Sequence, residues 1–281
     1  MATLSVIIIT KNEQSHIENC IKSVVGLADE IIVVDSQSTD RTAEIARSMG
    51  AKVSITTDWQ GFGVQKNRAL ALSTSEWVLS LDADERVTPE LALEIKSVLE
   101  GKTGDPRETC YLINRQSWYC GRLIKHSGWQ EDKILRLFKR GAAEFTNDKV
   151  HERIIRTQHA SNSDTAFKEG RVLNGPMLHY SFSDFDQVLL KVNRYSSLWA
   201  EQQALQGRRS TPLKALVHGI SAFCKAYIFK CGFLDGAHGL ALALSNAEGA
   251  YYKYLKLWHL NWTKTREGRG EQGDQGGSNE H

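Results

Sequence analysis

The chain has 281 residues, of which 41% are hydrophobic, and this is enough apolar material to bury at least one full core. Its formal net charge of +2 argues against nucleic acid as a partner, because proteins that bind nucleic acids usually present a strongly basic face to the phosphates. The 5 cysteines are scattered and form no Cys-x-x-Cys pair, which excludes a zinc knuckle and a disulfide framework and favours a reducing cytoplasm.

The first apolar run, at positions 4–9, is predicted to be a buried strand and not part of a signal peptide. No basic segment precedes it and no cleavage site of small residues follows it. No stretch of the sequence reaches the roughly 18 to 20 apolar residues that span a bilayer, so any membrane contact is expected to be peripheral.

Short apolar runs alternate with helix-like segments in the first third of the chain, which predicts an α/β fold with a mostly parallel sheet. The runs are rich in β-branched residues and do not alternate with polar ones, as is typical of strands covered by helices on both faces. The predicted strands are 4–9, 30–34 and 77–81, and the predicted helices are 13–25, 39–49 and 65–73. Polar residues follow each strand, and the carboxyl ends of parallel strands are where such sheets bind ligands.

Beyond Pro89, which predicts a helix through position 99, shorter runs at 110–115 and 133–138 are expected to extend the sheet. From position 185 the pattern becomes helical and basic. We therefore predict three parts: a catalytic domain at 1–184, a helical region for membrane association and acceptor binding at 185–262, and a disordered polar tail at 263–281.

Asp82 and Asp84 follow the third predicted strand and are candidate metal ligands. If the extended conformation persists, a period of two points both carboxylates to the same side, where they can share a cation. Hard oxygen ligands suit Mg²⁺ or Mn²⁺, which in turn bind phosphate oxygens. The alternative is a solvated acidic turn before the helix at Pro89.

Asp35 ends the second predicted strand and is a candidate for binding a base or ribose, as acidic residues do at similar strand ends in nucleotide-binding folds. Its alternative role is to cap the following helix, a role that Ser38 or Asp40 can fill equally well.

The sequence contains neither a Gly-x-Gly-x-x-Gly nor a Walker motif, so a dinucleotide cofactor and ATP are not favoured. The charge of a bound phosphate must then be met by a metal and by cationic side chains.

Four motifs together resemble the family 2 inverting glycosyltransferases of the GT-A fold. They are Thr-Lys-Asn-Glu at 10–13, Val-Asp-Ser-Gln-Ser-Thr-Asp at 34–40, Gln-Lys-Asn-Arg at 65–68 and Leu-Asp-Ala-Asp-Glu at 81–85. The resemblance covers roughly positions 3–155 and implies a Rossmann-like mixed, mostly parallel sheet flanked by helices, with a helical region at the carboxyl end. The segments 128–138 and 150–152 are similar to the branch that modifies the inner core of bacterial lipopolysaccharide, whose members are glucosyltransferases acting on a heptose.

The resemblance implies a role for each matching residue. Asp132 corresponds to the catalytic base, with Glu131 as a weaker candidate, and Asp82 and Asp84 serve the donor sugar and the metal. The nucleotide-sugar is expected to contact residues from all four motifs: Thr10, Asn12, Glu13, Asp35, Lys66, Arg68, Asp82 and Ala83. The processive members carry a Gln-x-x-Arg-Trp sequence that is absent here, which favours addition of a single sugar.

Several residues have two interpretations. His151, and to a lesser degree His179, can complete the shell of the metal or can simply be structural. Trp118, Tyr119 and Trp129 can stack on a sugar face, although aromatic residues in a mixed sheet more often belong to the core.

The segment 213–262 interleaves lysines with aromatic residues, which favours contact with anionic lipid headgroups. The alternatives for this segment are an ordinary helical subdomain and a dimer interface. The resemblance implies transfer of a single sugar, with glucose as the expected one, from a UDP-sugar to a glycolipid of the lipopolysaccharide core. We expect this to occur at the cytoplasmic face of the inner membrane and to need a divalent metal. The competing functions are a metal-dependent nucleotidyltransferase or phosphatase and a non-catalytic relative that only binds nucleotide or glycan.

Overall fold

A computed structural model of the chain describes residues 1–105, 107–129, 132–146, 153–157 and 171–273. Their contacts divide them into two compact units. The first contains the described residues of 1–117 and 131–181, and the second contains those of 118–130 and 182–281.

The first unit carries most of the strands. In chain order its elements are β1 (Leu4–Thr10), α1 (Ile17–Lys22), β2 (Glu30–Asp35), α2 (Thr42–Ser48), β3 (Lys52–Ile55), α3 (Phe62–Leu72), β4 (Trp77–Asp82), β5 (Glu85–Val87), α4 (Pro89–Leu99) and β6 (Cys110–Tyr119). After β7 (Arg122–Leu123), which belongs to the second unit, follow β8 (Asp132–Lys139), β9 (Ala143–Phe145), β10 (Ile154–Arg156) and β11 (Arg171–Phe182).

The described strands form a mixed sheet in the order β3-β2-β1-β4-β8-β6-β11-β5, and β10 pairs separately with β9. β1 is parallel to β2 and β4, β2 is parallel to β3, and β4 meets β8 antiparallel. The predicted α/β class with a mixed sheet flanked by helices is thus confirmed. The register places Thr10 opposite Asp35 on β2 and Ile9 opposite Asp82 on β4. Two acidic residues that were predicted to belong to the site therefore flank the end of β1.

β1 shows why the central strands are continuous apolar runs. Its residues are all buried, and they alternate between two core clusters. Val6 and Ile8 belong to a cluster that includes residues of α1, α2 and α4, whereas Ile7 and Ile9 belong to a cluster that includes Ala69 of α3. Because successive side chains point to opposite faces of a sheet, a strand with helices on both sides must be apolar at every position.

Glu30 connects three elements at the amino end of the sheet. Its carboxylate accepts hydrogen bonds from the hydroxyl of Ser5 (2.5 Å) and from the backbone N–H of Thr74 (2.6 Å), and it pairs with Lys52 (2.7 Å). Burial alone would raise the pKa of Glu30, but the hydrogen bonds from Lys52, Ser5 and Thr74 outweigh it and lower the pKa to about 2. Glu30 therefore favours the folded state in its ionised form.

Among the differences from the predicted elements are two shorter helices and one strand that was not predicted. The helix predicted at 13–25 is limited to α1, and the one predicted at 39–49 is limited to α2. The loops that precede these two helices are joined by hydrogen bonds. The N–H of Asn12 donates to the hydroxyl of Ser38, and the N–H of Thr39 donates to Oδ1 of Asn12, both at 2.8 Å. Side chains that bind backbone groups in this way compete with helix formation. β3 was not predicted, because this short edge strand has no apolar run to reveal it.

Helix α4 begins and ends where the sequence predicted. Pro89 occupies its first turn, and the hydroxyl of Thr88 accepts the N–H of Leu91, so that one of the amino-terminal donors of the helix is satisfied by a cap.

The second unit is helical apart from β7. It contains α5 (Phe185–Leu205), α6 (Pro212–Cys224), a π-helical turn at Lys225–Phe229, a 3-10 turn at Gly232–Asp235, and α7 (Gly236–Gly273). α7 includes the first part of the segment predicted to be a disordered tail, and residues 274–281 of that segment lie outside the described residues. No helix in the described ranges is both long and apolar enough to cross a bilayer.

Candidate active site

The ends of β1 and β2 and the loop after β1 carry four of the predicted nucleotide-sugar residues. Asp35 is buried, and its two carboxylate oxygens accept the N–H (2.9 Å) and the hydroxyl (2.5 Å) of Ser38. Asp40, in contrast, accepts the N–H of Thr42, the first residue of α2. Asp40 thus contacts the first residue of α2, although the N-cap position itself is Arg41 and has no side-chain cap, and Asp35 stays at the strand end.

Thr10, Asn12 and Glu13 shape the loop after β1. Asn12 has a left-handed backbone (φ 56°), which Asn tolerates better than most residues, and it bridges to the loop after β2. The N–H of Glu13 donates to the hydroxyl of Thr42. The hydroxyl of Thr10 is buried and has no hydrogen-bond partner among the residues that the structure describes.

Asp82 lies between two cations. Its Oδ1 is 2.9 Å from Nζ of Lys66 on α3, and its Oδ2 is 2.6 Å from a guanidinium nitrogen of Arg136 on β8. Burial alone would raise the pKa of the Asp82 carboxyl, but the charges of Arg136 and Lys66 outweigh it and hold that pKa well below its usual range. Asp82 is therefore ionised at neutral pH.

Glu85 extends this arrangement into a network. It is fully buried, its Oε2 accepts the N–H of Asp82 (2.9 Å), and its Oε1 lies 2.7 Å from Arg136 and 3.4 Å from Arg115. Arg115 also forms an ion pair with Asp132 at the start of β8. We call these six residues the charged network: Lys66, Asp82, Glu85, Arg115, Asp132 and Arg136. The predicted base and the predicted acidic motif are thus linked through an arginine and a glutamate.

Asp84 has a different partner. β4 ends at Asp82 and a turn follows, so the extended conformation that would have aligned Asp82 with Asp84 does not persist. Oδ2 of Asp84 lies 3.2 Å from Nε2 of His179 on β11. The other ring nitrogen of His179 lies 2.9 Å from the hydroxyl of Ser181 and 3.3 Å from that of Ser117, which fixes the orientation of the ring.

Arg68 lies apart from the charged network. It pairs with Asp58 at 2.7 Å and donates to the side-chain oxygen of Gln65, also at 2.7 Å. The amide of Gln65 in turn donates to the hydroxyl of Ser36, just after Asp35. Arg68 therefore belongs to the side of the site where Asp35 lies. Ala83 is buried, and its carbonyl accepts a hydrogen bond from Arg86.

Two predicted site residues, Glu131 and His151, lie outside the described residues. The aromatic residues that were considered for sugar stacking belong to the second unit, where Tyr119 is fully buried and packs against Trp129 and Phe182. The structure thus favours the core interpretation for Tyr119 and Trp129.

A divalent metal fits Asp84 and His179 by its chemistry. In the described ranges no three His, Cys, Asp or Glu side chains form a group that could hold a metal. Asp84 and His179 supply one carboxylate oxygen and one imidazole nitrogen. Mg²⁺ and Mn²⁺ in phosphate-handling sites are commonly held by one or two protein ligands, and substrate oxygens complete the shell.

The sequence assigned no role to three members of the charged network: Glu85, Arg115 and Arg136. A signal for Arg136 was present, since it stands inside the apolar run of β8, where a charge needs a buried partner. The identity of that partner could not be read from the run itself.

Comparison with known proteins gives the family of this chain. The model of Glycosyl transferase family 2 matches residues 5–150, and the chain belongs to this family. An uncharacterised glycosyltransferase of Rickettsia typhi is 34% identical over 266 residues, which cover 93% of this chain and 88% of that protein. The lipopolysaccharide core biosynthesis glycosyltransferase LpsC of Rhizobium meliloti is 29% identical over 271 residues, 94% of each chain.

Among solved structures, glucosyl-3-phosphoglycerate synthase from Mycobacterium tuberculosis matches 42% of this chain at 26% identity with a TM-score of 0.34. This chain covers 44% of that protein. The predicted membership in family 2 is confirmed by the family match and by the relatives.

Proposed function

We propose that this protein is an inverting hexosyltransferase that moves one glucose from UDP-glucose to a heptose of the lipopolysaccharide core. The observation that carries the proposal is the charged network, which joins Asp82 at the end of β4 to Asp132 on β8 within a family 2 domain. The similarity to LpsC over almost the whole chain supports the class of acceptor. Such an acceptor is a glycolipid, so the reaction would take place at the cytoplasmic face of the inner membrane.

In this proposal Asp35 and Asp82 contact the donor. Asp35 binds the base or the ribose, since its oxygens can each accept a further hydrogen bond in addition to those from Ser38. Asp82 is held by Lys66 and Arg136 but remains partly exposed, which leaves it able to accept hydrogen bonds from the hydroxyls of the sugar. Ionisation at neutral pH makes those hydrogen bonds charge-assisted and therefore strong.

Asp84 and His179 are the proposed metal ligands. A divalent ion held there would offset the negative charge that develops on the departing diphosphate. The serines beside His179 keep its Nε2 directed at Asp84. This assigns to His179 the ligand role that the sequence gave first to His151.

Asp132 is the proposed base. Its carboxylate is positioned by Arg115, yet its side chain remains 41% exposed, so an acceptor hydroxyl can approach it. A positioned base of this kind typically contributes about a hundredfold to ten-thousandfold to the rate. Attack in a single displacement on the face opposite the diphosphate inverts the anomeric carbon.

The test of the reaction is a panel of nucleotide-sugars offered with Mn²⁺ and deacylated lipopolysaccharide core, with product mass as the readout. We expect a product heavier than the acceptor by one hexose from UDP-glucose. Transfer from a different nucleotide, or no transfer from any UDP-sugar, would reject this donor.

The metal site is tested by calorimetric titration of Mn²⁺ in the presence of UDP. Asp84→Asn and His179→Gln should each weaken Mn²⁺ binding roughly tenfold or more, in line with the effect of losing part of a metal shell. Asp105→Asn is the matched control, because Asp105 pairs with Arg107 at the surface and has no assigned role. Unchanged Mn²⁺ binding in both site variants would remove the metal assignment and leave the donor assignment standing.

A further inference from the structure

Helix α6 packs in an unusual way: its small residues face inward. Ala215 and Gly219 are buried, and a side chain at Gly219 would lie 3.2 Å from Cβ of Tyr251 and 3.3 Å from the carbonyl oxygen of Ala247, both on α7. The small residues thus allow α6 and α7 to approach closely. The large apolar residues of α6 are left for the opposite side.

That opposite side is a continuous apolar stripe. Leu213, Leu216, Val217 and Ile220 follow the i, i+3, i+4, i+7 spacing of one helix face, and each is at least 50% exposed. Leu213 reaches 70%. In a helix at the surface of a protein, the apolar stripe normally packs against the core. The exposure of this stripe therefore needs an explanation other than packing within the unit.

The two turns that follow α6 in the chain also carry exposed apolar side chains. Ile228, Phe229, Phe233 and Leu234 are also at least 50% exposed, and Phe229 reaches 78%. We call these eight exposed side chains the α6 face: Leu213, Leu216, Val217, Ile220, Ile228, Phe229, Phe233 and Leu234. Single exposed apolar residues are ordinary, whereas a contiguous set marks an interaction surface.

The charged side chains in the stretch of chain that carries the α6 face have one sign. Between positions 202 and 234 the chain contains no Asp or Glu. The same stretch contains five exposed cationic residues: Arg208, Arg209, Lys214, Lys225 and Lys230. Asp235, the next acidic residue, is buried and accepts the backbone N–H groups of Lys125 and His126. A stretch of chain whose exposed side chains are apolar and cationic, with no acidic residue among them, is complementary to a surface that is apolar inside and anionic outside.

We propose that the α6 face docks this protein on an anionic phospholipid bilayer, with its apolar side chains at the boundary of headgroups and acyl chains. The proposal names the surface that would bring the enzyme of the preceding section to a glycolipid acceptor, and in that respect it rests on the proposed function. A second copy of the chain is a poorer occupant, because a two-fold contact would set this cationic surface against itself.

The test is flotation of the full chain with vesicles of equal parts phosphatidylcholine and phosphatidylglycerol, and with vesicles of phosphatidylcholine alone. Wild type should float with the anionic vesicles and much less with the neutral ones. The double variant Leu216→Ser with Ile220→Ser should lose roughly tenfold or more in partitioning per residue, because each substitution removes a large aliphatic side chain from the interface. Leu93→Ser on α4 is the matched control, since Leu93 is 67% exposed in the other unit.

Charge is tested separately. Lys214→Gln, Lys225→Gln and Lys230→Gln should each reduce partitioning into anionic vesicles roughly fivefold, and added salt should reduce the wild-type value in the same direction. The same variants should bind neutral vesicles as wild type does. Equal loss on both kinds of vesicle would show that the lysines do not act through the lipid charge, which contradicts the proposal.

Transfer to the deacylated acceptor separates the two proposals. The Leu216→Ser and Ile220→Ser double variant should keep wild-type turnover on this water-soluble substrate, which also shows that it folds. Vesicle binding by wild type without any hexose transfer would reject the proposed function and leave the docking surface intact. The docking surface would be overturned if wild type fails to float or if the double variant floats equally well. It would also be overturned if wild type is a dimer and the double variant is a monomer.

Discussion

Replacing Glu85 with glutamine removes one buried negative charge from the charged network and leaves the shape of the side chain nearly unchanged. The carboxylate of Glu85 serves Arg136, Arg115 and the N–H of Asp82 at once. Oε1 accepts from both arginines and Oε2 accepts from Asp82, so the single oxygen of glutamine can keep either the two arginines or the N–H of Asp82, and its amide nitrogen cannot accept in the other place. In the variant, Asp82 is then the one anionic partner that Arg136 keeps in the described network.

The expected cost follows from this geometry. Removing one partner of a buried ion pair typically destabilises a protein by about 3–5 kcal/mol, and the acceptor that remains in glutamine favours the lower end, about 3 kcal/mol. For a chain of this size each kcal/mol lowers the melting temperature by roughly 2–4 °C, so a decrease of roughly 6–12 °C is expected. Glu76→Gln is the matched control: Glu76 is exposed, and its loss should change stability by no more than about 0.5 kcal/mol.

Urea unfolding followed by circular dichroism gives the free energy of unfolding, provided that the slope with denaturant is the same in wild type and variant. A double-mutant cycle with Arg136→Met then measures the coupling, and the two changes together should cost about 0.5–3 kcal/mol less than their sum. If Glu85→Gln is as stable as the Glu76→Gln control, or if the two losses add fully, then the buried charge of Glu85 does not hold the network together and the reasoning fails.

Three further predictions concern separate parts of the first unit. Glu30→Gln should lower the free energy of unfolding by about 3 kcal/mol at pH 7, because a pKa lowered from 4.5 to about 2 corresponds to that free energy. The difference in stability between variant and wild type should disappear as the pH falls from 4.5 to about 2, and a difference that stays constant over this range would contradict the prediction. Gly175→Ala should cost about 1–3 kcal/mol, since its new Cβ would lie 2.4 Å from the backbone nitrogen of Leu91, whereas Gly26→Ala enters open space and should be neutral by thermal melting. Asp132→Asn should lower turnover by about a hundredfold to ten-thousandfold and leave calorimetric UDP binding nearly unchanged, and full activity would exclude it as the base.

Much of the site was visible in the sequence because its chemistry follows buried strands. The apolar runs that became β1, β2 and β4 placed Asp35 and Asp82 at one edge of the sheet, and the register confirms that both flank the end of β1. The assumption that Asp82 and Asp84 share one extended segment was wrong, because a turn separates them. That turn is a local feature, but the sequence pattern of a strand end does not specify where the strand stops.

The partners within the site were not predictable in the same way. Arg136 lies 54 positions from Asp82 and 51 from Glu85 along the chain, and β8 brings them together only through its antiparallel pairing with β4. The pairing of Asp84 with His179 likewise depends on β11 lying against β5. Side-chain contacts across a sheet depend on strand order and register, and neither is encoded in a single segment.

The sequence by itself determined local structure. It showed which segments are the buried central strands, that α4 begins at its proline, and which acidic residues stand at strand ends. Periodicity and capping act over a few residues, so a single segment is sufficient to express them. Only the tertiary structure decided which cation neutralises which acid, and that α6 packs through its small residues and exposes its large ones. Those outcomes depend on the fit between surfaces that are distant in the chain, and such a fit exists only after the elements have packed.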